Sequence, residues 1–408
     1  MNNPFDVLIA GAGHGGATAA ATLRQSGFAG SIGLVGAEPD LPYERPPLSK
    51  TYLKSAISFE NMLLRPAGFW AENNVALHLG TTLTAIDAAQ RRAATADGRI
   101  FAYGTLIWAA GGTPRRLGCP GDALAGVHAI RTRADVDRLL LALPGAEKIV
   151  VVGGGFIGLE AAAALTALGK QVTVLETQDR VLARVAGHTL SRFYEAEHRN
   201  HGVVIRLGAA VRAIRGQAGR ASSVELEDGS VLPADVLIVG IGIVPEIQVL
   251  QAAGAACGNG VHIDAFCATS LPHIYAIGDC AAQENHFAGG ARIRLESVQN
   301  ATDQGRAVAR TIAGQPERYG ALPWFWSDQF DLRLQTAGLS HGHDTAITRG
   351  DPTTRSFSVI YLRAGKVIAL DCVNAARDFV SGRMLIQKSA TPPPAALANP
   401  EIPLKSFQ

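Results

Sequence analysis

Cysteine is scarce in this chain and never paired. The five present, Cys119, Cys257, Cys267, Cys280 and Cys372, contain no CxxC or CxxxxC spacing. That argues against a redox-active dithiol and a cysteine-built metal centre. An odd, unpaired set predicts reduced thiols in a cytoplasmic protein. Charge is thin as well. Charged residues make up 18% and the formal net charge is +2, so no overall field draws the chain to nucleic acid or to a membrane. A local basic patch stays open. No apolar run approaches the roughly 18 residues that span a bilayer. The first residues pass directly into the apolar stretch 7–10, which is only strand length, so neither a signal peptide nor a membrane anchor is expected.

Glycine, by contrast, is plentiful. The 408 residues include 45 glycines, which predicts many tight turns or close approaches of backbone to ligands. The length suggests two or three domains, and a hydrophobic share of 47% supplies their cores.

Strand and helix patterns alternate, and one unit occurs twice. The first copy is an apolar strand, the turn Gly11-Ala-Gly13-His-Gly15-Gly16, and an Ala-rich helix closed at Gly27. The second is an apolar strand, the turn Gly153-Gly-Gly155-Phe-Ile-Gly158, and a helix closed at Gly169. In such a turn the first glycine permits the bend, the second admits a pyrophosphate close to the backbone, and the third lets helix pack on strand. The helix N-terminus then faces the phosphate charge. An acid after the second strand binds a ribose diol. Glu176 lies 23 residues after Gly153 and Glu38 lies 27 after Gly11. A carboxylate at Glu176 repels a 2′-phosphate and favours NADH, although Arg180 and Arg184 stand close enough in sequence to accommodate one. Two dinucleotide folds in one chain can hold a hydride donor and a flavin together, and a flavin releases two electrons singly.

Beyond residue 322 the pattern changes to alternating strands at 333–338, 356–362 and 367–373, with a hairpin turn at 363–366, a helix over 375–388 and a proline-rich tail expected to be extended.

Four phrases then occur in order: Arg45-Pro-Pro-Leu-Ser-Lys50, the second glycine motif with Glu160, Ala276-Ile-Gly-Asp279, and Pro323-Trp-Phe-Trp-Ser-Asp-Gln329. Together they resemble the FAD-dependent ferredoxin reductases of bacterial oxygenase systems, over nearly the whole chain. The resemblance implies an α/β fold with two Rossmann-like, glutathione-reductase-like domains and a C-terminal α+β domain. The FAD domain is then residues 1–112 with 245–321, the NAD domain 113–244, and the C-terminal domain 322–408.

It also implies roles for particular residues. Around FAD these are the first glycine turn with His14, then Glu38, Arg45, Lys50, Leu83, Ala110, Gly111, Arg131, Asp279, Glu296 and Val298. Lys50 would face the flavin ring, where a cation stabilises its reduced anion. Asp279 would bond the ribityl chain; its ordinary structural alternative, compatible with that role, is an N-cap for a helix from Ala281 onward. Ala110 replaces the family's threonine. Ala37 stands where some relatives carry aspartate, which leaves the ribose contact to Glu38. Around NADH the residues are the second glycine turn with Ile157, then Glu176, Arg184, Gly242 and Glu160, the last orienting the carboxamide. Trp326, or Trp324 by a small shift of register, would cover the flavin on the acceptor side.

The implied activity is hydride transfer from NADH to FAD, then single-electron transfer to a [2Fe-2S] ferredoxin serving an oxygenase. The ferredoxin would dock transiently beside arginines such as Arg333, Arg292 and Arg294. A monomer or weak homodimer is expected, with no metal of its own. A rubredoxin reductase is an open alternative. So is a flavoprotein akin to apoptosis-inducing factor, switched by NADH. A disulfide reductase on the same fold is disfavoured, because residues 46–52 contain no cysteine.

Overall fold

The computed structural model describes residues 4–408. The chain divides into two compact units. The first comprises the residues up to Glu44 with Phe59–Thr113 and Val244–Pro323, and the second comprises Arg45–Ser58, Pro114–Ile243 and Trp324–Gln408.

The first unit is built on a parallel sheet. Strand β1 (Phe5–Ala10) lies between Ile32–Val35 and Ile100–Trp108, with Val75–His78 outside the former and Ile274–Ala276 outside the latter. Its last four residues, Val7 to Ala10, are at most 4% exposed, as a strand covered on both faces requires. Helix α1 (His14–Gln25) follows β1 and ends at Gly27, whose φ of +78° suits glycine at a left-handed C-terminal cap. The antiparallel strands Leu83–Asp87 and Arg92–Thr95 extend the same sheet.

Asp279 caps no helix. It sits in the turn Gly278–Cys280, and Ala281–Glu284 is a strand paired with Gly260–Ile263 and Arg292–Arg294. Hydrogen-bonding edges on both sides override the weak local helix preference of Ala-Ala-Gln-Glu.

The second unit repeats the plan. Strand β2 (Lys148–Val152) is central, flanked by Gln171–Leu175 and Val236–Val239, all parallel. Helix α2 (Phe156–Ala167) follows it and ends at Gly169, with φ +77°. Helix α3 (His188–Asn200) comes later. The unit also contains a three-stranded antiparallel sheet over 211–233 and a five-stranded antiparallel sheet that opens with β3 (Trp324–Gln329) and includes β4 (Ser356–Arg363) and β5 (Lys366–Val373). Ala364 and Gly365, at φ +50° and +75°, form the β4–β5 turn. A strand at Thr345–Asp351, absent from the sequence reading, edges this sheet, and α4 (Ala376–Gln387) follows β5.

The tail is not extended. It forms short helices at Pro394–Ala398 and Leu404–Phe407, with Leu397 and Leu404 buried. Arg349 holds it there, donating to the carbonyls of Leu397, Asn399, Pro400 and Ile402.

Residues 45–58 group with the second unit. There Ser49 and Lys50 bond to Glu160, and the Tyr52 hydroxyl bonds to Asp137.

Candidate functional site: two nucleotide cradles and a buried ion pair

The first glycine turn is dictated by backbone packing. Gly11 has φ +114°, and a Cβ there would stand 2.2 Å from the Ala109 carbonyl oxygen. At Gly16 it would stand 1.9 Å from the Gly11 oxygen, and at Gly15 3.3 Å from the Ala301 oxygen. Gly13 is the N-cap of α1 and offers no side chain to the opening amides, while His14 is buried. An uncapped first turn of a twelve-residue helix is what an anion needs.

Register gathers the other residues at the same sheet edge. Ala10 pairs with Val35 and with Trp108, and Trp108 pairs with Ala276. The carboxyl ends of four parallel strands therefore lie together, with Gly11, Ala110, Gly111 and Asp279 just beyond them. Glu38 follows one of these strands and accepts the Tyr43 hydroxyl at 2.5 Å. The Gly278 amide donates to Gln304 at 2.7 Å, fixing the turn that carries Asp279. Val298 opens the helix Val298–Ile312, capped by Ser297. That helix packs on α1, where a Cβ at Gly305 would meet the Gly15 oxygen at 2.6 Å. Leu83 is buried in its strand. This cradle fits FAD: a glycine turn no side chain would fit, an uncapped helix end, and acids at Glu38 and Asp279.

Arg294 does not meet its expected role as an exposed docking charge. Its side chain is 8% exposed, pairs with Glu296 at 2.7 Å, and donates to the carbonyls of Asp279 and Asn259. Arg292 pairs with Glu284 at 3.1 Å, and Arg333 is exposed.

The second cradle has the same logic. A Cβ at Gly153 (φ +109°) would lie 2.4 Å from the Gly240 oxygen, and at Gly158 2.0 Å from the Gly153 oxygen. Gly155, the N-cap of α2, faces open space and supplies no side-chain cap. Ile157 is 44% exposed beside it. Glu176 is held in place: one oxygen accepts the Gly154 amide at 2.7 Å and the other the Gln178 amide at 2.9 Å. Arg180 is engaged, donating to the carbonyls of Ala183 and Ala186 and to Ser191. Arg184 reaches the neighbourhood of Gly242, whose φ is +95°.

Glu160 lies one helical turn past Phe156 and is 2% exposed. Lys50 Nζ stands 2.8 Å from its Oε1, the Ser49 hydroxyl donates to Oε2 at 2.6 Å, and the Ser327 hydroxyl donates to Oε1 at 2.6 Å. Burial pushes the Glu160 carboxyl up, and Lys50 with the two hydroxyls opposes that rise. Phe156 packs on Phe325 with ring centroids 4.6 Å apart, so α2 meets β3 at two successive positions.

Arg45 Nη1 donates to the Arg131 carbonyl at 2.5 Å, which ties those two expected contacts together within the second unit. Trp326 is half-buried, 5.6 Å from Trp324, which packs on Phe379 and Arg383. Ser49, Ser327, Gln329 and His198 were missed by the sequence reading. Only the alternation of β3, which puts Phe325, Ser327 and Gln329 on one face, carried a signal for two of them.

All five cysteines are unpaired, and among the described residues no cluster of His, Cys, Asp and Glu is placed to hold a metal. Among them, too, no helix is long and apolar enough to cross a membrane.

Comparison with known proteins agrees with this geometry. Residues 5–305 match the pyridine nucleotide-disulphide oxidoreductase family and residues 324–408 the reductase C-terminal family. The chain is 56% identical over 404 residues to a ferredoxin–NAD(P)(+) reductase of a Sphingomonas species, covering 99% of this chain and 97% of that protein. It is 55% identical to the ferredoxin reductase subunit of a 5,5'-dehydrodivanillate O-demethylase from a Sphingobium species, covering 99% and 98%. The crystal structure of a covalent putidaredoxin reductase–putidaredoxin complex superposes with a TM-score of 0.96 at 38% identity, covering 100% of this chain and 98% of that one. The chain belongs to the pyridine nucleotide-disulphide oxidoreductase family, as an FAD- and NAD(P)H-dependent oxidoreductase of the ferredoxin reductase type.

Proposed function

We propose that this chain is an NADH-oxidising reductase that passes electrons singly to a [2Fe-2S] ferredoxin serving an oxygenase. The observation that carries the reading is the doubled glycine cradle, each copy with an uncapped helix end and an acid after the next strand, in a chain without a cysteine pair. In this reading residues 1–112 and 245–321 bind FAD, 113–244 bind NADH, and 322–408 meet the acceptor. The protein is a cytoplasmic monomer or weak homodimer.

The amides opening α1 hold the FAD pyrophosphate, Glu38 its ribose and Asp279 its ribityl chain. Lys50 and Trp326 are assigned to the flavin ring. Bound there, the flavin supplies the exchange between a two-electron donor and a one-electron acceptor. The amides opening α2 hold the NADH pyrophosphate, and Glu160 orients the carboxamide so that one face of the nicotinamide is presented. Positioning lowers the barrier, and no side chain has to move a proton. Glu176 accepts the ribose hydroxyls. Because the Gly154 and Gln178 amides fix its charge and Arg180 is engaged elsewhere, a 2′-phosphate is repelled.

Anaerobic mixing with NADH or NADPH, followed by catalytic ferredoxin or rubredoxin, tests the reading through the visible flavin band. NADH should bleach it faster than NADPH, and ferredoxin should restore it. Restoration by rubredoxin alone would reassign the acceptor. A protein that stays colourless after addition of FAD would overturn the reading.

A further inference from the structure

The polar contacts of Glu160 do not stop at Ser327. Gln329 Nε2 lies 3.1 Å from Ser327 Oγ, and Gln329 Oε1 lies 2.9 Å from His198 Nε2. Ser327 and His198 are fully buried, and Gln329 is 1% exposed. His198 Nδ1 is buried without a partner among the described residues. A hydrogen-bonded row therefore runs from α3 through β3 to α2 inside the second unit, and nothing in the proposed reaction uses its far end.

Donor and acceptor chemistry fixes the direction of this row. An ionised Glu160 can only accept, so Ser327 must donate its single hydrogen to Oε1. The Ser327 oxygen is then an acceptor, which requires the Gln329 amide nitrogen to face it. The Gln329 oxygen is thereby turned to His198, which must carry its proton on Nε2. The unpartnered Nδ1 agrees, since the neutral ring needs only one donor. Rotating the Gln329 amide would make Ser327 donate to Gln329, leaving Glu160 Oε1 against a bare hydroxyl oxygen.

We propose that His198 and Gln329 are positioning residues that aim the Ser327 hydroxyl at Glu160 and so hold its carboxylate ionised and in one orientation for the nicotinamide. The inference rests on the reading of Glu160 given above. Burial lowers His198 to about 4, so the ring stays neutral through the working range and the row keeps its direction. The titratable groups facing this site are Lys50 beside Glu160 and, from α3, the buried Tyr194. Tyr194 feels Glu160, Asp328, Glu197 and Asp371, and burial pushes it up. His201 lies next to His198 and also lowers it.

The test uses the FAD-loaded enzyme and two readouts. One is the pH profile of flavin bleaching by NADH. The other is a pH titration of the Glu160 carboxyl by infrared difference spectroscopy, assigned through loss of the band in Glu160→Gln. Gln329→Met and His198→Leu should each raise both midpoints by about one pH unit, a tenfold loss of rate on the acid side. His198→Gln, which restores a donor near the Nε2 position, should return both toward wild type. If Gln329→Met does not fold, His198→Leu carries the test alone, while Ser327→Ala, which removes the hydroxyl that donates to Glu160 itself, should raise both midpoints at least as far.

Midpoints unchanged in Gln329→Met and His198→Leu would overturn the relay. Should Glu160→Gln reduce flavin at the wild-type rate, the reading of Glu160 fails instead, and the infrared midpoints alone decide whether the row sets its charge.

Discussion

Lys50 Nζ lies 2.8 Å from Glu160 Oε1, and the carboxylate it meets is 2% exposed. Removing one partner of such a pair leaves an uncompensated buried charge, which is worse than having neither. Lys50→Met should therefore lower stability by about 2–3 kcal/mol, less than a fully buried pair because the lysine is 14% exposed. It should also slow flavin reduction. Lys50→Met/Glu160→Gln should recover most of the stability but not the rate. Equal melting temperatures for the single and double variants would mean that the pair has no such role.

Glu176 has a different job, and its loss should change selectivity more than stability. In the proposed reading, Glu176→Ala removes the acceptor for the ribose hydroxyls and the charge that opposes a 2′-phosphate. KM for NADH should rise about tenfold, and the preference for NADH over NADPH should shrink by a similar factor. The check is steady-state kinetics with both nucleotides. An unchanged ratio would show that Glu176 does not read the ribose.

Asp371, on β5, is buried and takes one hydrogen bond, from the Tyr361 hydroxyl at 2.6 Å. Burial pushes its carboxyl from 3.8 up to about 7. Between those values the folded protein keeps a proton that the unfolded chain releases, so folded stability falls as pH rises. The contribution is fully present below about pH 4 and is gone above about pH 7, with a span on the order of 4 kcal/mol. Asp371→Asn should flatten this slope and gain on wild type as pH rises. Denaturation midpoints across that window give the answer. Parallel curves for the two proteins would exclude a titrating Asp371.

Arg349 is 4% exposed and serves four tail carbonyls as well as Asp378, at 3.0 Å. Only a planar guanidinium has the fork to do so. Arg349→Met should free residues 394–408 and lower stability by about 3 kcal/mol. Limited proteolysis read by mass spectrometry should show early cleavage in the tail. Arg349→Lys should restore little. A tail as resistant as wild type would show that the apolar contacts of Leu397 and Leu404 suffice.

The local features were legible because they depend on neighbouring residues only. Glycines at positive φ, glycine N-caps and the Ala364–Gly365 hairpin turn are set by backbone sterics within a few positions. Both cradles, and the acids that follow them, were therefore readable from spacing. Ala281–Glu284 was not, because its conformation is chosen by strands on either side of it. The tail misread has the same origin: its carbonyls are claimed by an arginine about 50 residues earlier in the chain.

By itself the sequence determined that this chain carries two glycine turns in strand–turn–helix context and no cysteine pair, and it singled out Lys50, Glu160 and Trp326 as the proposed reacting set. Tertiary structure alone decided what surrounds Glu160. Ser49 and Ser327 lie 111 and 167 residues away from it, and Gln329 lies 131 residues from His198. No spacing rule reaches so far, because which donors meet a buried carboxylate depends on how a strand and two helices pack around it. Desolvation then makes those few hydrogen bonds decisive for its charge.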